Sequence, residues 1–600
     1  MGTIEGEHIV AAHTAGGDGS EALGVPKTIT QAMSSEDSEF WKAAILDELA
    51  NHEEVFQSFG PPIPKEPGIK ATPTRFLFSK KLVSLDERKQ DSKSLAYKQL
   101  QNSPNYERFR ARLLYINNPY TSEQSSWEEL FAPVVDKTSV RMFLTTCAMF
   151  HKHLLHLDVV SAYLHANLKG PARYITLWGD EKGMMRQLFK AVNGIDNAAQ
   201  IWNKHYDQFM ISEGFFRSSR DNCIYIHPET NVQSSLYVDD VLASSDPDKR
   251  QLLDKFVRKV QKMFKVRILG EPTKFLGMDI TYLREQGICC ISQATYIDKL
   301  ASTYLCESSY VHSPTTPVEV NVYDRLRLAQ SEPDFEGPYR SIVGGLLFLF
   351  VCTRIDIGFA MSILTQQLAK PKPTHFLLAK RVLAYLKGTK SFGLILGGEP
   401  ISALNVFSDA SFANDQTDRK SMGGYIVFLG NSPISWAAKK HRGLVALSST
   451  ETEIVQVSES FKEILWEQPL LIDLGFPSIE SQTVCHGDNQ PAEHILKNNP
   501  THAARTKHMD VKIKFCGEVL AKKNKILLKY VPTKFSFADI FTKPLSTVRF
   551  RELRSVMVQD LEGISNNSKF LQRTFAVLRD FIRMPVKSPL SRIPEDSDMF

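Results

Sequence analysis

SSLYVDDVLASS, residues 234–245, reads as two short apolar strands interrupted by two adjacent carboxylates. Leu236, Tyr237 and Val238 make the first strand, Val241 to Ala243 the second, and Asp239 and Asp240 lie between them. Aspartate is a poor strand former that competes for backbone hydrogen bonds, so the pair belongs in a tight turn. A hairpin of this kind pushes two negative charges out of an apolar sheet. There they raise each other's pKa unless something neutralises them. An ordinary acidic turn has the same local pattern. A second acidic strand upstream favours a metal. HLLHLDVVSAYLHANL (153–168) sets Asp158 between Leu157 and Val159 in an apolar run, where an ionised carboxylate needs a partner or a metal. On adjacent strands Asp158, Asp239 and Asp240 would form a three-carboxylate cluster of the hard oxygen ligands that Mg²⁺ prefers. Two such ions about 3.5–4 Å apart can activate an attacking hydroxyl and stabilise a departing phosphate oxygen.

A second acidic constellation begins near residue 402, where the pattern turns to short strands and turns. Asp409 follows the apolar NVF. LSSTETEIVQVSESFKEILWEQPLLIDLGF (447–476) predicts a Ser/Thr-capped helix with Glu451 and Glu453 in its first turn. Its apolar stripe is Ile454, Val457, Phe461, Ile464 and Leu465. Acids in a first turn also simply complement the helix dipole. Of the two, Glu453 directly precedes the stripe. TVCHGDNQPAEHIL puts Asp488 at a strand end, and FSFADIFTKPL puts Asp539 near the start of a helix. Four acids converging from different elements of one α/β unit make a second hard-metal site.

Six hundred residues, 42% hydrophobic and 23% charged, suffice for several cores. A net charge of +5 permits nucleic-acid binding only through local basic surface. The eight cysteines contain no C-x₂-C pair, which argues against a zinc finger and suits a reducing compartment. The most apolar run, GGLLFLFVC (344–352), is too short to cross a bilayer, and MGTIEG has no signal core. The expectation is a soluble intracellular protein that does not engage a membrane.

LDVVSAYLHANL followed by LYVDDVL resembles the reverse transcriptase of copia-type long-terminal-repeat retrotransposons. The resemblance runs from about residue 35 to 555. Trp41, Ala44, Glu48 and Leu49 match the family's opening helix, here SSEDSEFWKAAILDELANHEEVF, for which Ser34 and Asp37 predict a capping box. RFRARLL (108–114) resembles a strand whose basic residues approach the incoming triphosphate. This implies that Arg110 and Arg112 clamp phosphate, although strand arginines also simply face solvent. Tyr163 takes the place of an aromatic residue under the nucleotide sugar that excludes a 2′-hydroxyl; a tyrosine on a core face fits the pattern equally. In LFKAVNGIDNAAQIWNKHYDQF (188–209) Gly194, Ala198 and Trp202 match a helix that flanks nucleotide and template. Asp196 and Gln200 stand there for a lysine and an arginine, removing attraction to phosphate. KFLGMDI (274–280) resembles a family strand. Residues 337–389 read as two or three amphipathic helices, with Lys380, Arg381 and Lys387 as either phosphate contacts or a solvated face.

F-S-D-A, S-S-T-E-x-E, D-N-Q-x-A, R-T-K-H-x-D and A-D-I-x-T-K-P-L occur in the order of the copia-type ribonuclease H domain. The resemblance implies Asp409, Glu453, Asp488 and Asp539 as its catalytic, metal-holding set, and Arg505, Lys507 and His508 as nucleic-acid contacts. The implied fold is α+β and α/β multidomain, a right-hand polymerase (fingers, palm, thumb) followed by a ribonuclease H-like domain. The expected boundaries are a disordered tail (1–33), fingers and palm (34–245, with 83–107 inserted), palm end, thumb and connection (246–400), the nuclease domain (401–555) and a tail (556–600). The implied cofactor is Mg²⁺, two per site, with Mn²⁺ as substitute. The implied partners are an RNA template, a DNA primer, an RNA–DNA hybrid and deoxynucleotides, with the oligomeric state open. The expected location is the cytoplasm, in a virus-like particle when the element is active, or the nucleus. No protease or integrase pattern occurs, so the chain reads as a fragment or a degenerate copy. Two other readings stand beside the polymerase–nuclease: a catalytically inactive remnant that binds nucleic acid, and a hybrid-specific nuclease alone.

Overall fold

Two kinds of strand occur among the described residues: Tyr106–Tyr115 alternates buried and exposed side chains over residues 109–113, whereas Gln233–Tyr237, Leu404–Ser411 and Met422–Leu429 are buried throughout. The computed structural model describes residues 25–83, 97–99, 106–116, 130–305, 313–400, 403–412, 420–441, 446, 448–479, 483–498, 509–522 and 526–562. Among these residues the strands form four sheets. The α+β, α/β multidomain class expected from the sequence is the class observed. The chain divides into two compact units whose pieces interleave along the sequence.

One unit comprises Met1–Val134, Val159–Gly214 and Met263–Val266. Its backbone is the antiparallel ladder of Ala71–Val83 with Tyr106–Tyr115. Phe76, Phe78, Phe109, Ala111 and Leu113 are buried while Arg110 and Arg112 between them are exposed, the two-residue period of a one-sided sheet. Helix Ser38–Ala50 covers the apolar side. Trp41, fully buried, meets Phe78 and Phe109 edge-on at 5.2 and 4.6 Å, a geometry favoured by the ring quadrupoles.

The helix starts later than the predicted capping box. Asp37 is its N-cap, and the Ser34 hydroxyl donates to the carbonyl of Gln31. A separate helix, Ile29–Met33, lies within the stretch expected to be disordered, with Ala32 fully buried. Residues 192–197 are not helical, and the helix there runs Ala198–Ser212. Gly194, at φ +94°, is required for contact: a Cβ would stand 2.1 Å from the Tyr115 carbonyl oxygen. Most of 83–107 lies outside the described residues, apart from a strand, Tyr97–Gln99.

The other unit comprises Val135–Asp158, Phe215–Lys262 and Arg267–Phe600. One sheet orders Val266–Gly270, His153–Val159, Asp240–Ser245, Gln233–Tyr237, Ile224–Ile226 and Phe216–Arg217 side by side. A second contains Lys274–Phe275 and Met278–Leu283, so KFLGMDI is a tight hairpin rather than one strand; Leu276 and Gly277 turn it at φ +50° and +74°. Helices Tyr339–Cys352, Gly358–Leu364 and Pro373–Gly388 follow. Inside them Arg354 and Asp356, both with fully buried side chains, form a bidentate pair at 2.7 and 3.0 Å. The Tyr385 hydroxyl donates to Asp356 at 2.6 Å, and Arg354 also donates to the Thr389 carbonyl at 3.0 Å.

The third sheet of this unit orders Ser432–Lys440, Met422–Leu429, Leu404–Ser411, Thr483–Gly487 and Leu527–Tyr530. The first three strands are antiparallel, and the last two run parallel to Leu404–Ser411. Helix Ser449–Leu474 makes the crossover. Every residue of Leu404–Ser411 is buried, as in a strand covered on both faces. Gln559–Asp560, at the start of the expected tail, pairs with the strand Phe392–Gly397, and the rest of the tail beyond 562 falls outside the described residues. Among the described residues no helix is long and apolar enough to cross a membrane.

Removing one partner of the Arg354–Asp356 pair leaves a buried charge without compensation. Asp356→Ala is expected to cost about 3–5 kcal/mol, read as a lower urea midpoint for this unit, whereas a loss under 1 kcal/mol would mean that water reaches the guanidinium.

Candidate active sites

In the hairpin of residues 233–245, Tyr237 and Asp240 are register partners, so the connecting pair is Val238–Asp239. The sequence reading placed both aspartates in the turn and Val238 in the strand. Instead Val238 turns the chain at φ +55°, and Asp240 opens the second strand. A β-branched residue at positive φ is strained, which marks this corner as held by its surroundings.

Asp240 faces Asp158 directly across the antiparallel pair, and opposed residues share a face. Leu157 and Val159 point the other way and are buried at 0% and 1%, whereas the Asp158 and Asp240 side chains keep 27% and 33% exposure. The apolar run around Asp158 is thus a two-sided strand that turns its one acid outward. Two charges directly opposed destabilise a sheet, and two neighbours offset this. His156, two residues before Asp158 and hence on the same face, lies with Nε2 3.0 Å from Asp240 Oδ1, its ring edge-on to Phe275. Arg267 Nη1 stands 3.8 Å from Asp158 Oδ2. Sequence reasoning named neither residue. The two-residue period from Asp158 would have found His156, but no local signal points to Arg267.

The tighter cluster is in the third sheet. Among the described residues one group of three acids brings an oxygen from each within 4.8 Å of the others: Asp409, Glu453 and Asp488. Asp409 sits in the central strand, 1% exposed, and Asp488 follows the end of the parallel neighbour. The Ser448 hydroxyl caps the helix by accepting from the Glu451 N–H, so Glu451 alone of the two expected acids lies in the first turn and Glu453 follows just beyond it, 4% exposed. Glu453 rather than Glu451 joins the cluster. Its Oε1 accepts from the Ala410 N–H at 3.2 Å, while Oε2 is buried without a hydrogen-bond partner among the described residues.

Asp539 arrives on the short helix Asp539–Thr542. That helix can dock because Gly424, the register partner of Asp409, has no side chain: a Cβ there would lie 2.4 Å from Cβ of Phe541. The Thr542 hydroxyl donates to Asp409 Oδ2. Lys543 Nζ donates to Asp409 Oδ1 at 3.2 Å and to Asp539 Oδ1, and Arg549 lies 3.6 Å from Asp539 Oδ2. Burial above all pushes Asp409 up to about 6, with Lys543 opposing and Asp539 adding to the rise. Burial, then Asp409 and Asp488, holds Glu453 well above the usual carboxylate range. An all-oxygen acidic donor set with an orphaned buried oxygen fits a hard dication.

Arg110 and Arg112 are exposed on the strand opposite Ser79 and Leu77. Tyr163 lies in the turn Ala162–His165 and packs on the core of its own unit. These three belong to the first unit and the acids to the second. Of the helix cations, Arg381 pairs with Glu319 at 3.2 Å, Lys380 lies over the Phe376 ring and Lys387 is exposed. Arg505, Lys507 and His508 lie outside the described residues.

Residues 79–318 match the family model for reverse transcriptase (RNA-dependent DNA polymerase). The chain is 31% identical over 473 residues to the retrovirus-related Pol polyprotein from transposon TNT 1-94 of Nicotiana tabacum, covering 77% of this chain and 34% of that one. It is 28% identical over 540 residues to that from transposon RE2 of Arabidopsis thaliana, covering 88% and 34%. A putative transposon Ty5-1 protein of Saccharomyces cerevisiae is 31% identical over 291 residues, 46% of this chain and 89% of that protein. The chain thus spans about a third of the length of the plant polyproteins it matches. Among solved structures, a foamy viral protease-reverse transcriptase in complex with dsDNA aligns over 82% of this chain and 83% of its own at 14% identity and a TM-score of 0.38.

The raised carboxyls predict a pH-dependent response to metal. In the metal-free protein they hold protons that an unfolded chain releases near pH ~4. Their contribution to stability is therefore present at low pH and lost as the pH rises through about 6. Mg²⁺ should raise the melting temperature by several degrees at pH 8 and have little effect at pH 5, where protons occupy its ligands. With Asp158→Asn, Asp239→Asn and Asp240→Asn present to silence the other acidic corner, Asp409→Asn should abolish the response; equal shifts at both pH values would put the ion elsewhere.

Proposed function

The chain belongs to the copia-type retrotransposon reverse transcriptase family, and on that premise we propose that it is an RNA-directed DNA polymerase with ribonuclease H activity, working by two-metal phosphoryl transfer. The observation that carries this reading is the meeting of Asp409, Glu453 and Asp488 oxygens within 4.8 Å. A buried knot of like charge has no structural use that apolar residues would not serve better. In the polymerase site Asp158, Asp239 and Asp240 would hold Mg²⁺, with Mn²⁺ as substitute. In the nuclease site Asp409, Glu453, Asp488 and Asp539 would do so. Bound there, the ions would make a primer 3′-hydroxyl or a water a stronger nucleophile and neutralise the departing oxygen.

The protein groups do the remaining work. His156 orients the Asp240 carboxylate through its 3.0 Å hydrogen bond, and Ala410 N–H fixes one oxygen of Glu453. Arg110 and Arg112, exposed and regularly spaced on one strand face, would grip the triphosphate. Tyr163 would discriminate against a ribose sugar. Arg505, Lys507 and His508 would contact the hybrid, which is recognised through backbone shape and the 2′-hydroxyl.

A nuclease-only reading is favoured by one observation. Asp196 and Gln200 replace two cations expected beside the template, and Asp196 repels phosphate. Primer extension on RNA and cleavage of an RNA–DNA hybrid, run on the same preparation with Mg²⁺, separate these readings. Asp158→Asn should lower extension at least ~10²-fold and spare cleavage, and Asp409→Asn should do the reverse. Cleavage without extension selects the nuclease alone. Loss of both in the parent protein, with hybrid still bound, selects a binding remnant.

A further inference from the structure

Lys543 is the first residue beyond the helix Asp539–Thr542, and its ammonium lies inside the acidic centre rather than in solvent. Nζ bridges Asp409 Oδ1, at 3.2 Å, and Asp539 Oδ1. The other oxygen of Asp539 faces Arg549 at 3.6 Å, and the other oxygen of Asp409 accepts from Thr542. Asp409 and Asp539 are thus already matched by cations and a donor. Glu453 keeps a bare oxygen, and Asp488 accepts from the Thr533 hydroxyl at 2.8 Å.

We propose that Lys543 holds the place of a second cation, so that without nucleic acid this centre takes up a single divalent ion, on Asp409, Glu453 and Asp488. The inference rests on the reading of these acids as the nuclease centre. Charge balance favours it. Four ionised carboxylates carry four negative charges, and Lys543 and Arg549 cancel two of them. The remainder matches one dication, and a second would be repelled by an ammonium bonded to its ligands. Mobility favours it as well. The Lys543 side chain is 33% exposed, so a flexible stem can withdraw Nζ without opening the core. An incoming phosphate offers that ammonium another anion. The oxygens of Asp409 and Asp539 are then released when substrate arrives. Lys543 is therefore a positioning residue that makes completion of the metal pair depend on substrate.

The test counts bound Mn²⁺ by electron paramagnetic resonance on the full chain at pH 8, without nucleic acid. Asp158→Asn, Asp239→Asn and Asp240→Asn are present throughout to silence the other acidic corner. With Lys543 in place the expected count is one ion; with Lys543→Met or Lys543→Gln it is two, and with Lys543→Arg it returns to one. Two ions with Lys543 present, or one ion in both neutral variants, would overturn the role assigned to Lys543. If no ion binds, or if Asp409→Asn leaves binding unchanged, the nuclease reading itself fails, and this inference fails with it.

Discussion

Repulsion between carboxylates brought together inside a protein is the constraint on which the sheet around Asp409 is built. In a medium of low polarity, like charges a few ångströms apart cost far more than in water. Asp409 and Glu453 are 1% and 4% exposed, so solvent does little to screen them. The fold meets this cost locally. A Ser-capped helix directs its N-terminal first turn, whose dipole favours negative charge, toward the sheet. Gly424 clears the space in which the helix of Asp539 docks, and Lys543 arrives with that helix. Burial and mutual repulsion still leave Asp409 and Glu453 with raised proton affinities. A centre in this state is poised to exchange protons for a metal ion.

The corner formed by Asp158 and Asp240 handles the same difficulty in another way. Its acids lie opposite each other on neighbouring strands but remain about a third exposed, and water shares the cost. His156 and Arg267 supply the rest. The strain is in the backbone, where Val238 turns the hairpin at positive φ. Such an arrangement is looser than the cluster of Asp409, Glu453 and Asp488 and leaves Asp240 partly committed to a histidine.

Several family-like residues turn out to be packing residues. Trp41 fills the space over Phe78 and Phe109, and Ala44 is buried in the same core. Gly194 matches because the Tyr115 carbonyl leaves no room for a side chain. Of the two replaced cations, Gln200 lies in the helix and Asp196 before it, in a segment whose backbone is held by that glycine and by the Tyr115 N–H to Asn193 carbonyl bond of 2.8 Å. The backbone path there thus tolerates changes of charge that the chemistry of a phosphate site would feel.

Local chemistry in the sequence was enough to point to the acidic hairpin, the isolated Asp158 and the four acids of the second constellation. Turn propensity, alternation and helix capping act over a few residues and leave a pattern in the chain. The preference for Glu453 over Glu451 was legible for the same reason, since helical phase decides which acid faces the sheet. Short-range signals did not reveal that Val238 rather than Asp240 occupies the turn, because strand register belongs to both partners. Nor did they reveal His156 and Arg267 beside the first acids, or Lys543 between Asp409 and Asp539. Asp409 and Lys543 are separated by 134 positions, and only the docking of a four-residue helix against a glycine brings their charges together. Charges act through space, and tertiary structure alone decides which of them are neighbours.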